Sequence, residues 1–306
     1  MADSTENKNE TKLSLFNASI NVKMDKLGEP IEKLIDACSR GTGIAYLPRH
    51  IKKLASASKY AGKQLDLSGQ EIKELFGASF LLTYGTQNRQ HKNIQSITQK
   101  AIDALPDTVD DKPVDEDWIA EFFEHCKNVG SEEMQILWGR LLAGEVAEPG
   151  SFSKRTLDFV KSLSTEEAQL FTGYCRLLMT FHNQDCPFRM SFDAIDSYLK
   201  EKVSDYEYWG HLSDIGLVHN GGFMSEEKEA TCHHIHYFDR EFQTQIPGCG
   251  KFLPKILFSI DRLTMIGIEL FHIAHPEPDY EYFNQFLSLS EQNGIKITVI
   301  NSDNKK

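Results

Sequence analysis

Between Asp115 and Phe181 the apolar residues recur at spacings of one, three and four, the pattern of helices that each bury one face. In the first, Trp118, Ile119, Phe122, Phe123 and Cys126 make a wide apolar stripe behind a potential cap at Asp115. Met134, Leu137, Trp138, Leu141 and Leu142 repeat the pattern behind Ser131, with Glu132 and Glu133 at the positive end of the helix dipole. Pro149 and Gly150 end that helix. A third starts near Ser151 or Ser153 and buries Leu157, Val160 and Leu163. Ser164, followed three residues later by Glu167, writes a capping box for a fourth, which carries Leu170, Phe171, Tyr174, Leu177, Leu178 and Phe181.

The pattern on either side differs. Met1 to Lys12 is polar and aperiodic, a disordered tail. Leu13 to Val22 alternates enough for a strand or loose arm, and Leu27 to Leu105 reads as helices broken at Gly41 to Pro48 and around Gly69. Within it, GASFLLTYG (Gly77 to Gly85) fits either a helix or a buried strand. Pro106 to Val114 has the Pro and Asp content of a linker. After Phe181 come a short helix around Phe192, Ile195, Tyr198 and Leu199 and another around Tyr208, Trp209, Leu212 and Ile215. A hairpin with His234, His236 and Phe238 on one face follows, then a return strand near Lys255 to Ile260. Helix, helix and small β-ribbon is the order of a winged helix.

The expected fold class is therefore mainly α. It comprises a disordered tail (1–12), a basic, mainly helical N-terminal region (13–105), a linker (106–114), a central helical block (115–181) and a winged-helix-like α+β C-terminal region (182–306).

The run WIAEFFEHCKNVGSEEMQILWGRLLAGEVAEPGSFSKRTLDFVKSLS, Trp118 to Ser164, resembles the core of a bacterial family known as domain of unknown function 2806. More distantly it is similar to alpha-type abortive-infection proteins, and LTMIGIEL (Leu263 to Leu270) resembles a second element of such proteins. The resemblance covers the chain from about Leu105 onward. It carries no assigned activity and so implies no catalytic residue; what it implies is a cytosolic bacterial protein connected with phage defence.

Composition leaves this picture intact. With 306 residues, 40% hydrophobic and 25% charged, the chain is long enough for two cores. The start is polar and the apolar runs are far too short to span a bilayer, which points to a cytoplasmic protein with no transmembrane segment. Six scattered cysteines suit reduced thiols better than a disulfide framework.

Charge changes it more. Residues 1–105 hold 15 Lys and Arg against 11 Asp and Glu, whereas the remainder holds 18 against 34. Ala37 to Leu65 has Arg40, Arg49, Lys52, Lys53, Lys59 and Lys63 and no acid, with Lys52, Lys59 and Lys63 on one helical face. The simpler reading is a solvated helix face; the sharper one is a contact with nucleic-acid phosphate or an anionic membrane surface. Ser191 to Arg240, by contrast, has ten acids and four Lys and Arg, the wrong sign for a DNA-reading wing and a better fit to a protein partner.

Candidate chemistry is sparse. Cys232, His234 and His236 project to one side if the segment is a strand, and sulfur with imidazole is a zinc-type donor set, although the spacing matches no familiar zinc motif. The bland alternative is a ribbon rich in histidine, and no other cofactor is called for. Gly41, Thr42 and Gly43 lack the glycines and the Lys-Ser or Lys-Thr of a phosphate loop and fit a helix end. Ser151, Ser153, Lys154, Arg155 and Thr156 can hold an anion at a helix start, but capping explains them without a ligand.

Three functions follow: a non-enzymatic adaptor, sensor or regulator that binds protein; a nucleic-acid-binding regulator using the basic segment; and an enzyme with a dispersed, metal-assisted site. The first is preferred. Oligomeric state is not encoded in any of these patterns.

Overall fold

The computed structural model describes residues 29–42, 69–182, 186–219, 231–246, 258–292 and 295–300. The chain divides into two compact units, Met1–Ser162 and Leu163–Lys306. The first is helical in its described residues and the second combines helices with two antiparallel sheets.

The first unit contains α1 (Glu29–Thr42), α2 (Gly69–Ala104), α3 (Glu116–Cys126), α4 (Glu132–Ala147) and α5 (Lys154–Ser162). GASFLLTYG belongs to α2, so the helical alternative for that segment is the one adopted. Each boundary of the Trp-rich block has a local cause. The Asp115 side chain accepts the Trp118 N–H at 2.8 Å, Ser131 accepts from Met134, and Ser153 Oγ accepts from Thr156 at 3.3 Å. Trp118, Ile119, Phe122, Phe123 and Cys126 are all buried, as their spacing predicts. Trp138 is fully buried, its ring edge-on to Phe122 with centroids 5.3 Å apart.

Two glycines set helix approach here. A Cβ on Gly139 of α4 would lie 2.7 Å from Lys100 Cβ on α2, and one on Gly41 of α1 would lie 2.8 Å from both Ile119 Cγ1 and Phe123 Cδ2 on α3. Gly41 thus serves close packing within the last turn of a helix. The connection after α2 is tied to the helices: Asp110 N–H donates to the Ala147 carbonyl at 2.8 Å, and Val114 is buried.

The second unit opens with α6 (Thr165–Cys175), whose Ser164 and Glu167 make both bonds of the capping box. Helix α6 ends at Cys175, short of the expected Phe181. Leu177 and Leu178 are buried but turn away through N–H bonds to Tyr174 and Cys175, and Thr180–Phe181 form strand β1. There follow β2 (Phe188–Phe192), α7 (Asp193–Lys202), a 3₁₀ turn (Tyr206–Tyr208), α8 (Trp209–Asp214), β3 (Val218–His219), the hairpin β4 (Thr231–Tyr237) and β5 (Arg240–Ile246), β6 (Phe258–Leu263), α9 (Met265–Ala274), α10 (Tyr280–Gln292) and β7 (Lys296–Ile300).

The strands form two sheets, ordered β2-β6-β3 and β1-β4-β5-β7, every pairing antiparallel. Tyr237 and Phe242 cover the inner face of the larger sheet against α10, Tyr237 stacking on Phe283 at 4.7 Å. The Tyr237 hydroxyl accepts the Asp279 N–H at 2.8 Å and has the Arg176 carbonyl within 2.8 Å as its own acceptor. No helix of the described residues is long and apolar enough to cross a membrane.

Candidate functional site

Strand alternation decides which side chains of the larger sheet meet. Ile235, Tyr237 and Phe242 face the core, so His234, His236, Glu241 and Gln243 face the other way. His236 stands opposite Glu241, and Thr180 stands opposite His236, which puts His182, just beyond β1, level with His234. The His182 N–H donates to the His234 carbonyl at 3.0 Å and fixes that level.

The resulting cluster is close-knit. His182 Nδ1 lies 2.8 Å from His236 Nε2 and 3.8 Å from Glu241 Oε1, and His234 Nδ1 lies 3.7 Å from the same carboxylate oxygen. The ligand atoms of His182, His236 and Glu241 all fall within 4.8 Å of one another. Gln243 holds His234 from the other side, Nε2 to Nε2 at 3.3 Å. Of the metal set expected from sequence, His234 and His236 are in the cluster. Cys232 occupies β4 opposite Gln245, but its side chain lies outside the described residues. His182 and Glu241 were missed because they sit on neighbouring strands, and no local pattern announces strand register.

A second ligand set lies in the first unit, where His125 Nε2 is 3.1 Å from Asp158 Oδ1 and 3.8 Å from Glu121 Oε1. Lys154 stands 3.9 Å from Glu121 and so already supplies positive charge there. A cleft of about 550 Å³ beside Trp118 and Phe152 includes Arg40, Lys112 and Lys154. All three cations are engaged: Arg40 with Asp36 and Glu116, Lys112 with the Pro149 carbonyl, Lys154 with Asp117 and Glu121.

The basic candidates Arg49, Lys52, Lys53, Lys59 and Lys63 lie outside the described residues. At the start of α5, Ser153 spends its hydroxyl on the Thr156 N–H, the capping role.

Two neighbouring large rings part where the 3₁₀ turn gives way to α8. Trp209 is 7% exposed and packs edge-on to Tyr174 at 5.4 Å, whereas Tyr208 is 65% exposed. Asp205, Glu207 and Asp214 are exposed too. Beneath them Arg189 is buried, bonding Asp261 through Nε at 3.1 Å and Nη2 at 2.5 Å and Asp196 through Nη1 at 2.8 Å. Its guanidinium also lies 5.6 Å from the Trp209 ring. A buried cation with two carboxylates and an aromatic lid is fully used in holding β2, β6 and α7 together.

Residues 83–287 match the family model described as protein of unknown function DUF2806. The chain belongs to that family. The match covers about two thirds of the sequence and begins inside α2, ahead of the Leu105 at which the sequence resemblance starts. It also takes in the histidine cluster and the Tyr208 turn of this member. No curated protein and no solved structure matches the chain.

Proposed function

We propose that this DUF2806 protein is a non-enzymatic interaction protein, an adaptor, sensor or regulator, that docks a basic protein segment at Tyr208. The observation that carries the reading is the contrast between Trp209, buried on Tyr174, and Tyr208, 65% exposed directly after the exposed Asp205 and Glu207. A tyrosine is a large, stiff anchor with a polar tip, and tyrosine is among the residues that dominate interface energies. Acidic neighbours select a partner rich in Lys or Arg and repel nucleic-acid phosphate.

The chain order β2, α7, α8, β3, β6, with sheet order β2-β6-β3, supports a winged-helix-like reading in which the β4–β5 hairpin stands where a wing would. Helix α8 has six residues, Trp209–Asp214, and carries no Lys or Arg, which favours protein over the DNA major groove. The resemblance to abortive-infection proteins that Trp118–Ser164 and Leu263–Leu270 carry in sequence alone is the ground for proposing a setting in bacterial phage defence.

A photo-crosslinking amino acid placed at position 208, in the bacterial host, tests the reading. The expected result is a discrete crosslink to a protein through a Lys- or Arg-rich segment, lost when Asp205 and Glu207 are both changed to Lys. Crosslinking to DNA, or crosslinking to protein that survives the charge reversal, overturns it.

A further inference from the structure

The outer face of the β1-β4-β5-β7 sheet brings His182, His236 and Glu241 together, and we propose that these three residues bind one zinc-class divalent cation. This site is separate from the Tyr208 surface and its test does not depend on it.

Three features carry the assignment. The first is donor type: imidazole nitrogens with one carboxylate oxygen suit zinc and its neighbours among the transition metals, not calcium or magnesium. The second is spacing. Ligand atoms about 2.0 to 2.1 Å from a tetrahedral zinc stand roughly 3.3 Å apart. The observed separations of 2.8 Å from His182 Nδ1 to His236 Nε2 and 3.8 Å from His182 Nδ1 to Glu241 Oε1 bracket that edge. The third is the framework. His236 and Glu241 are cross-strand partners, and the His182 N–H to His234 carbonyl bond sets β1 beside β4, so three ligands project from paired backbone.

His234 stands beside the site and not in it: Gln243 Nε2 donates to its Nε2 at 3.3 Å, which leaves the ring proton on Nδ1, 3.7 Å from Glu241 Oε1, where it orients that carboxylate. Three protein ligands with a fourth position left to water is an ordinary zinc arrangement. The set Glu121, His125 and Asp158 is a poorer site, because it offers one imidazole and Lys154 already stands against Glu121.

The bound ion would tie edge strand β1 to β5 across β4. Its affinity therefore depends on residues 182 and 241 as well as on His236, which separates this set from the local one of Cys232, His234 and His236.

Isothermal titration of the full chain with Zn²⁺ at neutral pH, after stripping with chelator and in the presence of a thiol-free reductant, tests the site. One equivalent should bind, and Tm should rise on zinc addition. His182→Ala, His236→Ala and Glu241→Ala should each weaken binding by more than about 100-fold, since even outer-shell partners of a metal are worth about 10- to 100-fold. His272→Ala, at an exposed position of α9, serves as the control and should bind as the parent does. Circular dichroism of each variant establishes that the fold is kept. For a variant that fails to fold, Co²⁺ substitution in the parent replaces it: a visible spectrum without a thiolate charge-transfer band supports the site. No stoichiometric zinc binding, or binding indifferent to His182→Ala and lost in Cys232→Ser, overturns it.

Discussion

The indole N–H of Trp118 donates to the Phe152 carbonyl across 2.8 Å, joining α3 to the loop that precedes α5. Trp138 differs, for its Nε1 has no hydrogen-bond partner among the described residues although the ring is fully buried. The two tryptophans should therefore respond differently to the same change. Trp118→Phe leaves a buried carbonyl without its donor and should cost about 1 to 3 kcal/mol. Trp138→Phe loses no such bond and should cost less, whereas Trp138→Ala opens a cavity and should cost about 3 to 5 kcal/mol. Urea denaturation of the three variants checks the order.

Glu145 is 1% exposed, and its carboxylate accepts the Gly150 N–H at 2.8 Å and the Phe152 N–H at 3.1 Å. It holds the turn after α4 in the shape that delivers Phe152 to Trp118. Glu145→Ala strands both donors, each worth about 1 to 3 kcal/mol when buried and unsatisfied, and should destabilise more than Glu145→Gln, which keeps an acceptor oxygen. Equal losses in the two variants would refute the clamp.

A pH effect follows from the capping box of α6. The Glu167 carboxylate accepts the Ser164 N–H at 2.8 Å and meets His211 Nε2 at 2.7 Å, and these contacts, the backbone one foremost, hold its pKa below the ordinary value. A depressed carboxyl stabilises the fold fully above its unfolded pKa and loses that contribution as pH falls through the folded value. Glu167→Gln should thus be less stable than the parent at neutral pH, and the gap should close on acidification below about pH 4.5. Paired denaturation curves at several pH values measure this.

Buried thiols should resist modification. Burial pushes Cys38 up to about 12 and raises Cys126 and Cys175 as well, so none presents a thiolate at pH 8. Cys186 is partly exposed. Timed alkylation of the native protein, read by mass spectrometry, should label Cys186 well before the other three.

Helix starts were legible in the sequence because a cap is a conversation between residues three apart: Asp115 with Trp118, Ser131 with Met134, Ser164 with Glu167. Strand β2 was not, because all five residues of FRMSF are buried, including Arg189 and Ser191, and the alternation that marks a half-exposed strand is absent. The end of α6 was overrun since Leu177 and Leu178 keep up the apolar spacing and are buried after the helix has stopped. Half of the histidine cluster could be found on one strand by alternation. His182 and Glu241 come from its two neighbours, and pairing register is a property of three dimensions.

Strand β6 is the middle strand of its sheet, and it pairs with β2 from Phe188↔Arg262 to Phe192↔Phe258 and with β3 at Val218↔Leu263. As the chain leaves the ribosome, β2 and β3 therefore emerge long before the strand that joins them. Until residues 258–263 arrive, both have open edges, the kind of surface on which nascent chains aggregate or recruit chaperones. The small sheet of the second unit stays incomplete until β6 is made, so a chain truncated before Phe258 should accumulate as insoluble material.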